Sequence, residues 1–232
     1  MGLLNQLWIR AKEFSGLHGD ATHLWPRWLI IRAVGLVYLF IFWNIIRESV
    51  ALIGPSGILP AVDLMKHLGD LFPNSLEAFV RAPSLLWLGG GEGMIRLLSW
   101  AGMMAAVAVV LNLWPRMMLF VCWIIFLSFI SFFTIFSSTV IDQLMLEVAL
   151  LCIPYAPRGY RPGLGADAPP RPIVLLMVRL LLIRVMFESG FFKIYSGDIR
   201  WRDFTAMDVM YETAPFPTIF GFIDHQLSHT YH

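Results

Sequence analysis

The chain has 232 residues, 58% of them hydrophobic and 14% charged, with a net charge of +1 and a mean hydropathy of +0.69. That balance excludes an ordinary soluble domain, and near-neutral charge without any basic block excludes a nucleic-acid partner. What it fits is an integral membrane protein whose surrounding partner is lipid.

Residues 1–26 hold no uninterrupted apolar run and no small-residue cleavage site, so no removable signal peptide is expected and the first span acts as the targeting signal. Within them Leu3, Leu4, Leu7, Trp8, Ala11 and Phe14 recur at helical spacing, apart from Arg10, Lys12 and Glu13. This spacing predicts a short helix, either lying in the membrane interface or simply exposed to solvent. A first span runs over residues 28–53, with Arg32 and Arg47 near its ends, where long side chains reach the headgroups. Gly54 to Ala61 is a turn-rich break, and residues 63–93 are polar enough to lie outside the bilayer.

After Arg96 the only charge before Asp142 is Arg116, at the break Asn112-Leu-Trp-Pro-Arg116. This predicts spans over residues 95–114 and 115–136 joined by a tight turn. A shorter apolar run, 143–157, opens at Asp142 and Glu147. A Pro/Gly-rich loop to Pro172 precedes a fifth span over 173–195, and residues 196–232 follow as a lid on the far side. The expected fold class is therefore all-α, a multi-pass transmembrane bundle of about five spans, read as one membrane domain over residues 27–232 behind the segment 1–26.

Arg10, Lys12, Arg27, Arg116, Arg158, Arg161 and Arg171 fall on one side of this arrangement, whereas Asp63, Asp70, Glu77 and Glu92 fall on the other. By the positive-inside rule the N-terminus is cytoplasmic, and the membrane is a bacterial inner membrane or that of the endoplasmic reticulum. Cys122 and Cys152 sit inside apolar runs and read as core residues rather than a disulfide.

The charged constellations come late in the chain. Arg179, Arg184 and Glu188 lie within an apolar span, where an ionisable group is costly unless paired or facing water. Arg184 and Glu188 are four apart and able to pair, which fits either a stabilising ion pair or the wall of a polar cavity. Asp142 and Glu147 could reach toward such a cavity, although Asp142 reads better as an exposed helix N-cap and Glu147 as a partner for an arginine of the fifth span. Lys193 stands among Phe191, Phe192 and Tyr195. Such neighbours disfavour the charged form, as a proton acceptor requires, although an interfacial lysine snorkelling to headgroups reads the same way. Beyond Gly197, the acids and bases Asp198, Arg200, Arg202, Asp203, Asp208 and Glu212 alternate with Trp201 and Tyr211. This composition suits a salt-bridged cap in which these charges neutralise one another. His225, His229 and His232 share a face if helical, but no acidic or thiol ligand stands with them, so neither a metal nor a cofactor is expected.

The run RVMFESGFFKIYSGDIRWRDFTAMDVMYETAPFP, residues 184–217, resembles the signature of the lipase maturation factor family: an Arg-bearing apolar helix, a Glu-Ser-Gly, Lys and Ser-Gly-Asp series, then Trp-Arg-Asp, Thr-Ala and Tyr-Glu-Thr before prolines. Gly54 to Ala61 and Pro83 to Leu88 are similar to that family's first extramembrane loop. Residues 138–157 resemble its Gln-Trp-Asp segment, with Val140 and Ile141 in place of Gln and Trp. The resemblance implies a multi-pass membrane maturation factor, chaperone-like, that helps an exported lipase-like client reach its active fold. Family members continue into further membrane segments and a soluble domain, which implies a truncated or split member, or a second chain that supplies the remaining half. Lys193 followed by Trp201 is also distantly similar to the membrane domain of vitamin K-dependent gamma-carboxylase. That likeness implies an alternative, a membrane enzyme using Lys193 as a base on a lipid-soluble or peptide substrate.

Overall fold

A computed structural model describes residues 8, 23–72, 74–133, 136, 140–213 and 218–227. The predicted N-terminal helix, apart from Trp8, and the residues Pro215, Pro217, His229 and His232 lie outside the described residues. The described residues form helices joined by turns, with no strand among them. In chain order these are α1 (Leu24–Ile53), α2 (Ala61–Leu71), α3 (Ser75–Arg81), a 3₁₀ turn (Leu85–Leu88), α4 (Glu92–Val110), α5 (Pro115–Phe133), α6 (Val140–Tyr155), α7 (Pro172–Tyr195), α8 (Ile199–Arg202), α9 (Ala206–Thr213) and α10 (Ile219–His225).

Helices α1, α4 and α5 are long and apolar enough to cross a membrane. At 1.5 Å per residue, the 30 residues of α1 extend about 45 Å, more than a bilayer's hydrocarbon thickness. Large apolar side chains point away from the packed side: Leu36, Phe40 and Trp43 on α1, and Leu97, Trp100 and Met104 on α4. Phe40 is 71% exposed, a surface that only lipid or a partner can cover. The chain is thus a multi-pass helical membrane protein. Helix α6 has 16 residues, and the 24-residue α7 carries Arg179, Arg184, Glu188 and Lys193.

The chain divides into two compact units, residues 1–178 and 179–232. In the first, α1 packs chiefly on α4, α4 on α5 and α5 on α6, and α1 also touches α5 and α6. Small residues bring α1 and α4 together. A Cβ on Gly102 would run into the ring of Phe42, and one on Gly35 would lie 2.9 Å from Val109 Cγ1. Without a hydrophobic drive between helices in lipid, close backbone approach of this kind is what associates them. Phe42 stacks on Tyr38 at 5.8 Å, and Tyr38 meets the edge of Phe126 on α5 at 5.7 Å. Cys122 and Cys152 are buried free thiols in this core.

Segment 61–88, read from the sequence only as polar, contains three short helical elements, of which the 11-residue α2 is amphipathic and the other two span one or two turns. Its end is stitched to α5. Ser84 Oγ donates to the Ser128 carbonyl at 2.9 Å, Leu85 N–H to Ser128 Oγ at 2.9 Å, and Ser131 Oγ to the Pro83 carbonyl at 2.9 Å. The segment Pro83 to Leu88 therefore sits where buried Ser128 and half-buried Ser131 on a spanning helix satisfy its backbone.

Candidate functional site

One end of the first unit holds a cavity of about 400 Å³ between the last turns of α1, the end of α5 and the start of α6. Its apolar wall includes Ile45, Phe126 and Phe133, and its polar groups are Asn44, Glu48 and Asp142. Asn44 and Glu48 are four apart on α1 and so share a face. Asp142 lies in the first turn of α6, where a carboxylate is favoured by the helix dipole. Asp142, expected chiefly as an exposed helix N-cap, is half-buried there and lines this largely apolar cavity. Glu48 carries no signal in the sequence, because it sits at the end of an apolar span, where an isolated acid looks interfacial. Glu147 is half-buried one turn further along α6.

Arg179, Arg184 and Glu188 belong to the second unit. Arg184 Nε lies 3.6 Å from Glu188 Oε1, and both side chains are about half exposed, 47% and 51%. This is the i,i+4 pairing expected, in a more open setting than a buried pair. Along the same helix Phe187, Phe191 and Tyr195 stack in sequence, at 6.0 and 5.6 Å. The helix runs through Gly190, at a propensity cost of about 1 kcal/mol, and stops before Gly197.

The Ser-Gly-Asp series is a helix stop followed by a helix start. Ser196 Oγ donates to the Lys193 carbonyl at 2.9 Å, Gly197 takes the left-handed φ of 67° that follows many helix ends, and Asp198 caps α8 by accepting from Arg200 N–H at 3.1 Å. The Arg200 guanidinium also donates to Asp198, at 2.6 to 3.0 Å. These side-chain bonds, with the backbone one, hold the Asp198 carboxyl below its ordinary range. The reversal brings Trp201 back onto the end of α7, where Lys193 Nζ lies 4.5 Å from the ring centroid. Lys193 is exposed, and its contact is with an aromatic face, which attracts an ammonium, rather than with a carboxylate.

Farther on, α9 packs on α10, with Tyr211 and His225 ring centroids 6.1 Å apart and His225 Nε2 3.6 Å from Glu212 Oε1. The expected mutual neutralisation of charges is narrower than the composition suggests. Arg202 and Asp203 make no side-chain hydrogen bond or ion pair among the described residues, because their short helix α8 has one turn and its cap already uses Asp198 and Arg200. Replacing Trp201 with alanine is expected to raise the rate of limited proteolysis between residues 198 and 213 several-fold while the spans stay inserted. Unchanged cleavage would show that the Lys193 contact does not hold this segment.

The family model described as "Lipase maturation factor transmembrane domain" matches residues 25–232. Lipase maturation factor 1 of Homo sapiens is 29% identical over 229 residues, covering 94% of this chain and 40% of the relative. The protein of that name from Mus musculus is 28% identical over 212 residues, 89% of this chain and 37% of the relative. Lipase maturation factor 2 of Rattus norvegicus is 30% identical over 217 residues, 87% of this chain and 30% of the relative. The chain thus spans 30 to 40% of the length of these relatives. No solved structure matches it. With nearly all of its length matched by that transmembrane domain, the chain belongs to the lipase maturation factor family.

Proposed function

We propose that this chain is the membrane-embedded part of a maturation factor for exported lipases, acting as a chaperone-like scaffold on the far side of the membrane. The observation that carries the reading is the family match across residues 25–232. The charged run that resembles the family signature supports it: past the end of α7 it forms α8, capped by Asp198, and α9, which carry Trp201, Tyr211 and the Asp198–Arg200 pair. The cavity, lined mostly by apolar side chains with Glu48 and Asp142 among them, suits an apolar client segment that bears a polar or basic group.

We read α6 and α7 as the fourth and fifth spans. The N-terminus of α1, the α4–α5 turn and the α6–α7 loop share one end of the first unit. There Trp114 N–H donates to the Tyr160 carbonyl at 2.9 Å and Asn112 Nδ2 to the Gly163 carbonyl at 2.9 Å. Arg27, Arg116, Arg158 and Arg171 gather at that end, which favours a cytoplasmic placement for it, in an endoplasmic reticulum or bacterial inner membrane. The carboxylase-like alternative receives no support from Lys193, whose neighbour is the ring of Trp201.

A photo-crosslinker placed at position 208 or at position 161 tests client and orientation together, in cells exporting a lipase. An adduct with the newly made lipase is expected from position 208 and not from 161. Adducts from neither position overturn the client, and an adduct from 161 alone overturns the orientation.

A further inference from the structure

We infer that the pocket at the arginine-rich end of the first unit binds a phosphate group, presented by the headgroup of an anionic phospholipid. The pocket has a volume of about 280 Å³ and is lined by Arg27, Arg116, Arg158, Arg171, Ile173 and Val174. Among the described residues none of the four arginines takes part in an ion pair. Their charges oppose one another, Arg158 and Arg171 both acting on Arg116. Four cations around one small space are unfavourable unless an anion offsets them.

Two of the four are held in place by the fold. Arg27 donates to the carbonyls of Leu164, Gly165 and Ala168 at 2.7 to 2.8 Å. Arg116 donates to those of Pro154 and Ala156 at 2.7 to 3.2 Å. Carbonyls satisfy the N–H groups and leave the net charge in place. Arg158 and Arg171 are exposed and make no side-chain hydrogen bond among the described residues, so their donors remain for a ligand. Guanidinium groups match phosphate oxygens in planar, bidentate geometry.

The helices add to the field. Arg27 lies in the first turn of the 30-residue α1, Arg116 in that of the 19-residue α5, and Ile173 and Val174 in that of the 24-residue α7. Each N-terminal end carries partial positive charge, so three of them converge on the pocket that the arginines line; the C-terminal end of α6 also reaches it at Pro154, where the carbonyls of Pro154 and Ala156 are taken up by Arg116. The apolar wall of Ile173 and Val174, with Pro169 and Pro170 beside it, separates a lipid headgroup from a free anion as the better occupant. The pocket also stands at the end of two spanning helices beside Trp114, which is 53% exposed, at the level where interfacial tryptophans sit. This site does not depend on the lipase reading.

The test is native mass spectrometry of the detergent-purified, delipidated full chain, titrated with dioctanoyl phosphatidylglycerol, dioctanoyl phosphatidylcholine or inorganic phosphate. Phosphatidylglycerol is expected to bind at least ten-fold more tightly than phosphatidylcholine. The double variant Arg158→Ala/Arg171→Ala is expected to lose at least ten-fold in that affinity, with an unchanged melting temperature in the absence of lipid. Inorganic phosphate binding as tightly as phosphatidylglycerol, and lost in the double variant, upholds the anion site and assigns it to a free phosphate. Equal binding of the two lipids together with no phosphate binding, or phosphatidylglycerol binding unchanged in a double variant that keeps its melting temperature, overturns the site. If the double variant melts early, Arg158→Gln alone is titrated against the same thresholds.

Discussion

Gly102→Val is expected to destabilise the bundle by about 3 kcal/mol or more and to leave most of the chain aggregated on detergent extraction. The Cβ of any residue at 102 would penetrate the ring of Phe42, whose neighbours leave it nowhere to go: Phe42 is fully buried, stacked on Tyr38, and Tyr38 is pinned in turn by Phe126. Relief requires α1 and α4 to separate, and that costs the close approach at Gly35 as well. The milder Gly102→Ala isolates the cause. Combined with Phe42→Leu it should recover part of the loss, giving a coupling of more than about 1 kcal/mol in thermal melts. Strictly additive losses would mean that the two side chains do not meet.

Arg27→Leu has the second large effect. Three backbone carbonyls of the α6–α7 loop lose a charged donor at once, and among the described residues only that of Gly165 keeps another, the Ala168 N–H. With charged hydrogen bonds contributing about 1.5 to 3 kcal/mol each and partly redundant here, a loss of about 3 kcal/mol is expected. Proteolysis should accelerate within residues 157–171, because that loop is what the guanidinium ties to α1. Arg27→Lys should recover less than half of that loss, since an ammonium lacks the fork that reaches Ala168 with one nitrogen and Leu164 and Gly165 with the other. Gly165→Ala should imitate Arg27→Leu: Gly165 has a φ of +71°, and a Cβ there would collide with Arg27 Nη2. A loop that stays protected in both variants would contradict this anchor.

The spanning helices were legible because hydropathy accumulates along a run, so α1, α4 and α5 emerged from the distance between charges, and the Asn112 to Arg116 break emerged from its one proline and one arginine. The family signature was legible as a string, and its Ser196-Gly197-Asp198 core turns out to be local capping chemistry. Contacts made by one side chain to a remote backbone had no such signal. Arg27 reaches carbonyls more than a hundred residues away, and Ser128 satisfies Leu85. Neither leaves a period or a composition bias. The face of Lys193 was equally unreadable, since Gly190 and Gly197 both offered a helix stop and only Gly197 takes it.

The specific activity of a secreted lipase, measured per unit of lipase antigen in cells with and without the chain, tests the proposal that the chain matures exported lipases. Loss of the chain is expected to lower activity per unit of antigen at least several-fold and re-expression to restore it, while an exported enzyme unrelated to lipases keeps its full activity throughout. Unchanged lipase activity per unit of antigen in cells lacking the chain would contradict it.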